Sequence, residues 1–154
     1  MLLDTSIFPL CGPNLAVHCS ECREMNSEYA VYVVDGAVRA TCHYMCKRSS
    51  CRCKDGERAA AGEAVVGLDA AVVEDAVRTL ALNEPLLTGY RADFALFQRT
   101  GDNGEEAYET GLVEVNDAFV SGRYDGMPPK DFTDMIISRF GSLQAQGCTA
   151  GPVK

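Results

Sequence analysis

Residues 27–44 read SEYAVYVVDGAVRATCHY, and this stretch decides the fold. Two β-rich runs flank Asp35-Gly36, and an Asp-Gly pair in that setting is the strongest short signal for a β-hairpin. A two-residue turn sets the register of the two strands, so the sequence predicts that Val34 pairs with Ala37. The same register predicts that Tyr32, Ala30 and Glu28 pair with Arg39, Thr41 and His43, respectively.

The predicted hairpin has one apolar and one polar face, because side chains alternate along a strand. The apolar face holds Tyr29, Val31, Val33, Val38, Ala40 and Cys42. The other face holds Glu28, Tyr32, Arg39, Thr41 and His43. We therefore expect the core to lie on one side of the hairpin.

The pattern after the hairpin predicts two helices and two further strands. Asp69 is a predicted N-cap, and it precedes apolar residues at helical spacing, namely Val73, Ala76, Val77, Leu80 and Ala81. A strand is predicted from Tyr90 to Gln98, and a return strand runs to about Asn116 after a polar turn. Pro128-Pro129 opens the last helix, which has Phe132, Met135, Ile136 and Phe140 on one side.

This order of elements predicts an α+β fold, in which an antiparallel β-sheet has helices packed on one face. Residues 1–14 are expected to be an irregular lead-in. Residues 15–144 form the predicted domain, with a short first strand at 15–19 and a long connection at 45–67. Residues 145–154 are expected to be a flexible tail.

Three polar side chains are expected to meet on the non-core face of the second hairpin. In GLVEVND (111–117), the strand period of two places Glu114 and Asn116 on one face. Asp93 lies on the corresponding face of the preceding strand, so antiparallel pairing brings it beside them. Two carboxylates and an amide oxygen suit a hard cation, and magnesium completes such a shell with water and phosphate oxygens.

The combination of Asp93 with Glu-Val-Asn at 114–116 resembles the metal-binding end of ATP-grasp enzymes. Upstream, HCSE (18–21) and SEYAVYVVDG (27–36) are similar to the hinge and first hairpin of a small, divergent ATP-grasp clade. The resemblance covers the C-terminal half of an ATP-grasp domain. It implies that Asp93, Glu114 and Asn116 bind the magnesium of ATP, that Glu21 lies at the adenine or ribose end of the cleft, and that Arg39 or Arg91 contacts phosphate.

The chemistry implied by this resemblance is ATP-dependent ligation of a carboxylate to an amine through an acyl phosphate. Two departures from the family pattern bear on that activity. Ala30 stands where the family leads us to expect an arginine, and the glycine-rich, lysine-bearing N-terminal portion has no counterpart before residue 15. The resemblance therefore implies either a partner chain that supplies the N-terminal lobe or a truncated relative that is inactive alone.

Composition argues against nucleic-acid binding as the main function. The chain has 154 residues, 47% of them hydrophobic, and a net charge of −8, whereas a protein that neutralises phosphates needs a basic surface. We find no signal peptide and no apolar run long enough to span a bilayer, so we expect a cytoplasmic protein with no membrane partner.

The eight cysteines support a competing hypothesis, in which zinc organises a binding module. Thiolates are typical ligands of structural zinc, and the candidate ligands are Cys46, Cys51 and Cys53, with Cys22 as a fourth candidate. In the predicted register Cys42 lies beside Tyr29 and His43 lies on the opposite face, so those two are not expected to share a metal. A folded remnant without any ligand is the third hypothesis.

Overall fold

We describe residues 22–47, 67–100, 104–145 and 147 from a computed structural model. The predicted lead-in at 1–14, the strand at 15–19, residues 48–66 of the long connection and most of the tail lie outside these residues. In chain order the described elements are β1 (Met25–Val34), β2 (Ala37–Cys46), α1 (Ala70–Asn83), β3 (Gly89–Thr100), β4 (Glu106–Asp117), a short 3-10 helix (Ala118–Val120) and α2 (Pro129–Ala145).

The four strands form one sheet in the order β2-β1-β3-β4, and each neighbouring pair is antiparallel. The α+β prediction with an antiparallel sheet is therefore confirmed. No helix in the described ranges is both long and apolar enough to cross a membrane.

The Asp-Gly turn joins β1 to β2 as predicted. Asp35 and Gly36 have positive φ angles of 51° and 73°, the backbone conformation that a type I′ hairpin turn requires at both central residues. Val34 pairs with Ala37, also as predicted. The Asp-Gly pair occurs here because a side chain with a Cβ rarely tolerates a positive φ angle, and aspartate and glycine are among the residues that do.

Further from the turn, the predicted register is wrong by one residue. Tyr32 pairs with Ala40, and Ala30 pairs with Cys42, because the register shifts between Tyr32 and Val33. A bulge of this kind adds one residue to one strand and reverses the face of every residue beyond it. Cys42 therefore shares a face with Ala30 and Tyr32.

The two helices cover opposite faces of the sheet, so the prediction that both pack on one face is wrong. On the α1 face, Val73 and Val77 pack against β-strand residues, namely Val31, Val33, Tyr90, Ala92 and Phe94. On the α2 face, Met135 packs with Met127 against Ala30, Tyr32 and Val34. β1 is apolar at both alternating positions, and a strand of this composition is typically buried on both faces.

Both helices begin where the sequence predicts. The Asp69 side chain accepts a hydrogen bond from the backbone N–H of Ala71, at 2.9 Å, and caps α1. Pro129 is the first residue of α2, a position at which the missing N–H of proline costs nothing. Met135 is buried and Phe132 and Ile136 pack beside it, but Phe140, which was predicted to share their side, is 54% exposed.

Candidate functional site

Asp93, Glu114 and Asn116 lie together on the α2 face of the sheet, in two adjacent rows of paired residues. Ala30, Asp93 and Glu114 lie opposite one another on β1, β3 and β4. Tyr32, Arg91 and Asn116 form the next row. Residues that pair directly across an antiparallel sheet point to the same side, so the register brings the predicted carboxylates and amide together.

Hydrogen bonds connect this group, which we call the carboxylate cluster (Arg91, Asp93, Glu114 and Asn116). Asp93 Oδ2 accepts from Arg91 Nη2 at 2.8 Å, from Arg91 Nε at 3.1 Å and from Asn116 Nδ2 at 3.0 Å. Asn116 Nδ2 also donates to Glu114 Oε1, at 2.9 Å. The amide of Asn116 therefore presents its NH₂ group, not its oxygen, to both carboxylates.

The other oxygen of Asp93, Oδ1, is buried and accepts no hydrogen bond. The whole residue is 1% exposed, although the sequence predicted a non-core position, because α2 and the segment before it cover this face. Burial raises the pKa of Asp93, an effect that the hydrogen bonds and charge of Arg91 oppose and the nearby carboxylate of Glu114 reinforces. A buried oxygen without a donor costs free energy unless it gains a proton, a cation or another donor.

Glu114 differs from Asp93 because its side chain is 58% exposed. The hydrogen bond from Asn116 lowers the pKa of Glu114, so this carboxylate is ionised at neutral pH. The cluster thus combines one buried and one solvent-facing carboxylate within hydrogen-bonding reach of each other. Such a pair offers oxygen ligands that open toward solvent on one side only.

Arg91 is fixed between the carboxylates and an aromatic ring. Its side chain is 12% exposed, with Nη2 3.9 Å from Glu114 Oε1 and Cζ 5.6 Å from the ring centroid of Tyr124. Burial acts to lower the pKa of Arg91, but the hydrogen bonds and charge of Asp93 outweigh it and raise the pKa. The guanidinium therefore carries a permanent positive charge beside the two carboxylates.

A family model for an ATP-grasp domain, describing the second family of one ATP-grasp clade, matches residues 4–135. The chain belongs to this ATP-grasp family. The match supports the resemblance drawn from the sequence, and membership implies that the domain binds ATP. No match was found among curated proteins or among solved structures.

The remaining predicted nucleotide contacts of this ATP-grasp domain are not all near the cluster. Arg91 is part of it. Arg39 lies exposed on the edge strand β2, close enough to Lys130 for the two positive charges to repel, and β1 separates it from the strand of Asp93. Glu21 lies outside the described residues. Of the three, the structure brings only Arg91 to the carboxylates.

Sequence reasoning missed Glu28, Tyr44 and Tyr124, which extend the polar group of the ATP-grasp domain across the α2 face. Glu28 is 8% exposed; its Oε2 accepts from the Tyr44 hydroxyl at 2.7 Å, whereas its Oε1 is buried without a partner. The Tyr44 ring stacks on Tyr124, with centroids 4.6 Å apart and an interplanar angle of 1°. The pattern at 27–44 gave no signal for this contact, because it depends on the bulged register and on a loop residue far along the chain.

Tyr44 and Tyr90 provide a matched pair of hydroxyl deletions. Burial, followed by the hydrogen bond to Glu28, raises the pKa of Tyr44, whereas burial alone raises the pKa of Tyr90 to about 12. We expect Tyr44→Phe to lower the free energy of unfolding by about 2 kcal/mol, because it leaves a buried carboxylate without its donor.

The Tyr90 hydroxyl is buried and has no partner, so we expect Tyr90→Phe to leave stability unchanged or to raise it by up to about 1 kcal/mol. Urea unfolding of both variants, followed by circular dichroism, measures the difference. Equal losses in the two variants would show that the Tyr44–Glu28 hydrogen bond contributes nothing specific.

The described cysteines are dispersed. Cys22 is exposed, Cys42 is buried and Cys46 is partly buried, and all three are free thiols. His43, not Cys42, lies beside Tyr29, with ring centroids 4.5 Å apart, so that prediction was wrong because of the bulge. Within the described ranges no three His, Cys, Asp or Glu side chains lie close enough to hold a metal. Cys51 and Cys53 lie outside those ranges, so the zinc hypothesis stays a prediction.

Proposed function

We propose that this ATP-grasp domain binds magnesium and ATP at the carboxylate cluster, with Asp93, Glu114 and Asn116 as metal ligands. The observation that carries the proposal is the buried Asp93 Oδ1, which accepts no hydrogen bond although Oδ2 accepts three. This oxygen lies beside Glu114, and carboxylate oxygens are the ligands that magnesium prefers. A divalent cation would satisfy Oδ1 and offset the charge of both carboxylates.

The donor set fits magnesium with one change in the described arrangement. Asn116 donates from Nδ2 to both carboxylates, so its amide would turn to present the oxygen as a ligand. Two carboxylates and one amide leave coordination positions for water and phosphate oxygens, as is usual for this ion. When bound, magnesium would bridge phosphate oxygens of the nucleotide and neutralise part of their charge.

Arg91 is the proposed phosphate contact. Its guanidinium already lies 3.9 Å from Glu114 Oε1, so it would face the same phosphates that the metal ligands address. A guanidinium keeps its charge at all physiological pH values and binds phosphate in a directed, two-pronged geometry. We assign no role to Arg39, because β1 separates it from the cluster.

The proposed reaction class is the ligation that characterises the family. A substrate carboxylate attacks the terminal phosphorus of ATP, which forms an acyl phosphate and releases ADP. An amine then attacks the acyl carbon, and inorganic phosphate leaves as the amide bond forms and the amine loses a proton. We propose that a partner chain supplies the N-terminal lobe that this reaction needs, so the chain alone binds the nucleotide without turnover.

Isothermal titration of the protein with ATP, with magnesium and with EDTA in its place, tests the nucleotide site. We expect binding that depends on magnesium and that Glu114→Gln weakens by about tenfold, or about 1.4 kcal/mol. Glu109→Gln is the matched control, since Glu109 lies on the same strand but pairs with the exposed Arg23. Magnesium-independent binding, or equal affinity of the two variants, would contradict the assignment of Glu114.

A further inference from the structure

Arg91 is the one cationic side chain that contacts the carboxylates of the cluster within the described part of the chain. On one side its Nε and Nη2 atoms donate to Asp93. On the other side lies the face of the Tyr124 ring, within the distance at which a guanidinium is attracted to an aromatic ring. The position of Arg91 therefore depends on the position of Tyr124.

Tyr124 itself is held by two strands, although it lies in the segment between the 3-10 helix and α2. Its backbone N–H donates to the Tyr32 hydroxyl at 3.0 Å, and that hydroxyl donates to the carbonyl of Gly122 at 2.7 Å. The ring of Tyr124 stacks on Tyr44, whose hydroxyl is bonded to the buried Glu28. β1 thus anchors the backbone of the segment, and β2 anchors the ring.

We infer that Tyr124 is a positioning residue for nucleotide binding: stacked between Tyr44 and Arg91, it holds the Arg91 guanidinium at the metal-binding edge of the cluster. This inference rests on the proposed function for its nucleotide, and on the described contacts for its geometry. A divalent cation bound at Asp93 and Glu114 would repel Arg91 and compete for Asp93. The Tyr124 ring attracts a cation without neutralising it, so it keeps Arg91 available for phosphate oxygens.

The role assigned to Tyr124 belongs to its aromatic face and not to its volume or hydroxyl. Tyr124→Phe keeps the face that contacts both Tyr44 and Arg91. Tyr124→Leu keeps an apolar side chain in the segment but removes the π face. A purely structural role, that of filling space beside Tyr44, would be served by leucine nearly as well as by phenylalanine.

The position of Arg91 can be measured without any ligand. In the ¹⁵N spectrum of the wild type, we expect a resolved Nε–H signal for Arg91, assigned by its loss in Arg91→Lys, with a nuclear Overhauser contact to the Tyr124 ring protons. Tyr124→Leu should shift this signal, because the ring current is removed, and Tyr124→Phe should not. An Arg91 signal without contact to the Tyr124 ring, or one unchanged in Tyr124→Leu, overturns the inference.

Titration with magnesium-ATP measures the effect on binding. We expect Tyr124→Leu to weaken binding by about tenfold, and Tyr124→Phe to restore the wild-type affinity. Equal affinities of the leucine variant and the wild type would overturn the positioning role. A wild type that binds no magnesium-ATP would overturn the proposed function instead, and the ligand-free Arg91 signal distinguishes that outcome from a failure of the inference.

Discussion

Asp93→Ala is expected to lower the free energy of unfolding by about 3–5 kcal/mol, the usual cost of removing one partner from a buried ion pair. The remaining partner, Arg91, is 12% exposed at its side chain and would keep its charge without the carboxylate that now accepts two of its hydrogen bonds. Asn116 Nδ2 would lose one of its two acceptors as well. Urea unfolding at neutral pH measures the loss.

The double variant Asp93→Ala/Arg91→Met separates the cost of an unpaired charge from the intrinsic worth of the pair. Burial already raises the pKa of Asp93 despite Arg91, which indicates that desolvation offsets much of the attraction between them. We therefore expect the double variant to recover at least half of the stability lost in Asp93→Ala. Asp125→Ala, at an exposed position, should change stability by less than about 0.5 kcal/mol.

A loss below about 1 kcal/mol in Asp93→Ala would contradict this account, because it would mean that Arg91 finds another partner or reaches solvent. A double variant less stable than Asp93→Ala would do so as well, since it would mean that the methionine cannot replace the packing of the arginine stem. Both outcomes concern the ligand-free fold, so they do not depend on whether the cluster binds magnesium.

Gly89→Ala is expected to destabilise the fold by about 3 kcal/mol or more, at the upper end of overpacking effects. Gly89 is the first residue of β3 and lies against α2. A Cβ at this position would lie 2.1 Å from the backbone oxygen of Met135 and 3.1 Å from Arg139 Cβ. A backbone oxygen in the middle of a helix cannot move alone, so α2 would shift from the sheet or β3 would bend.

Gly141→Ala is the matched control, because it makes the same chemical change within α2 itself. A Cβ at Gly141 would meet no atom within 4 Å, and alanine favours a helix interior over glycine by about 0.5–1 kcal/mol. We expect this variant to be more stable than the wild type. Thermal unfolding of the two variants should therefore give shifts of opposite sign; shifts of the same sign would show that α2 does not approach β3 at Gly89 as described.

The hairpin was predictable from the sequence because its determinants are local. Asp35-Gly36 adopts the positive φ angles that few other pairs tolerate, and the β-branched residues on either side favour strands. The start of α1 was predictable for the same reason, since Asp69 caps a backbone N–H two residues later. Neither feature requires knowledge of another part of the chain.

The juxtaposition of Asp93 with Glu114 and Asn116 was also predictable, because it follows from strand alternation and antiparallel pairing. Its fine geometry was not. The register shifts between Asp93 and Phe94, where Val113 is the additional residue of β4. A bulge is decided by how the whole sheet twists and packs, and no local pattern in GLVEVND indicates it. The interaction of Asp93 with Arg91 likewise depends on side-chain directions within the covered face.

By itself, the sequence determined the elements, the two turns that pair them, and the set of oxygen-bearing side chains that an ATP-grasp nucleotide site needs. Only the tertiary structure decided that α1 and α2 cover opposite faces, that Asp93 is buried beside Arg91, and that Tyr124 completes the group. The reason is the range of the forces involved. Turn and cap preferences act over a few residues, whereas burial and close packing act between segments that are far apart in the chain and have no shared local pattern.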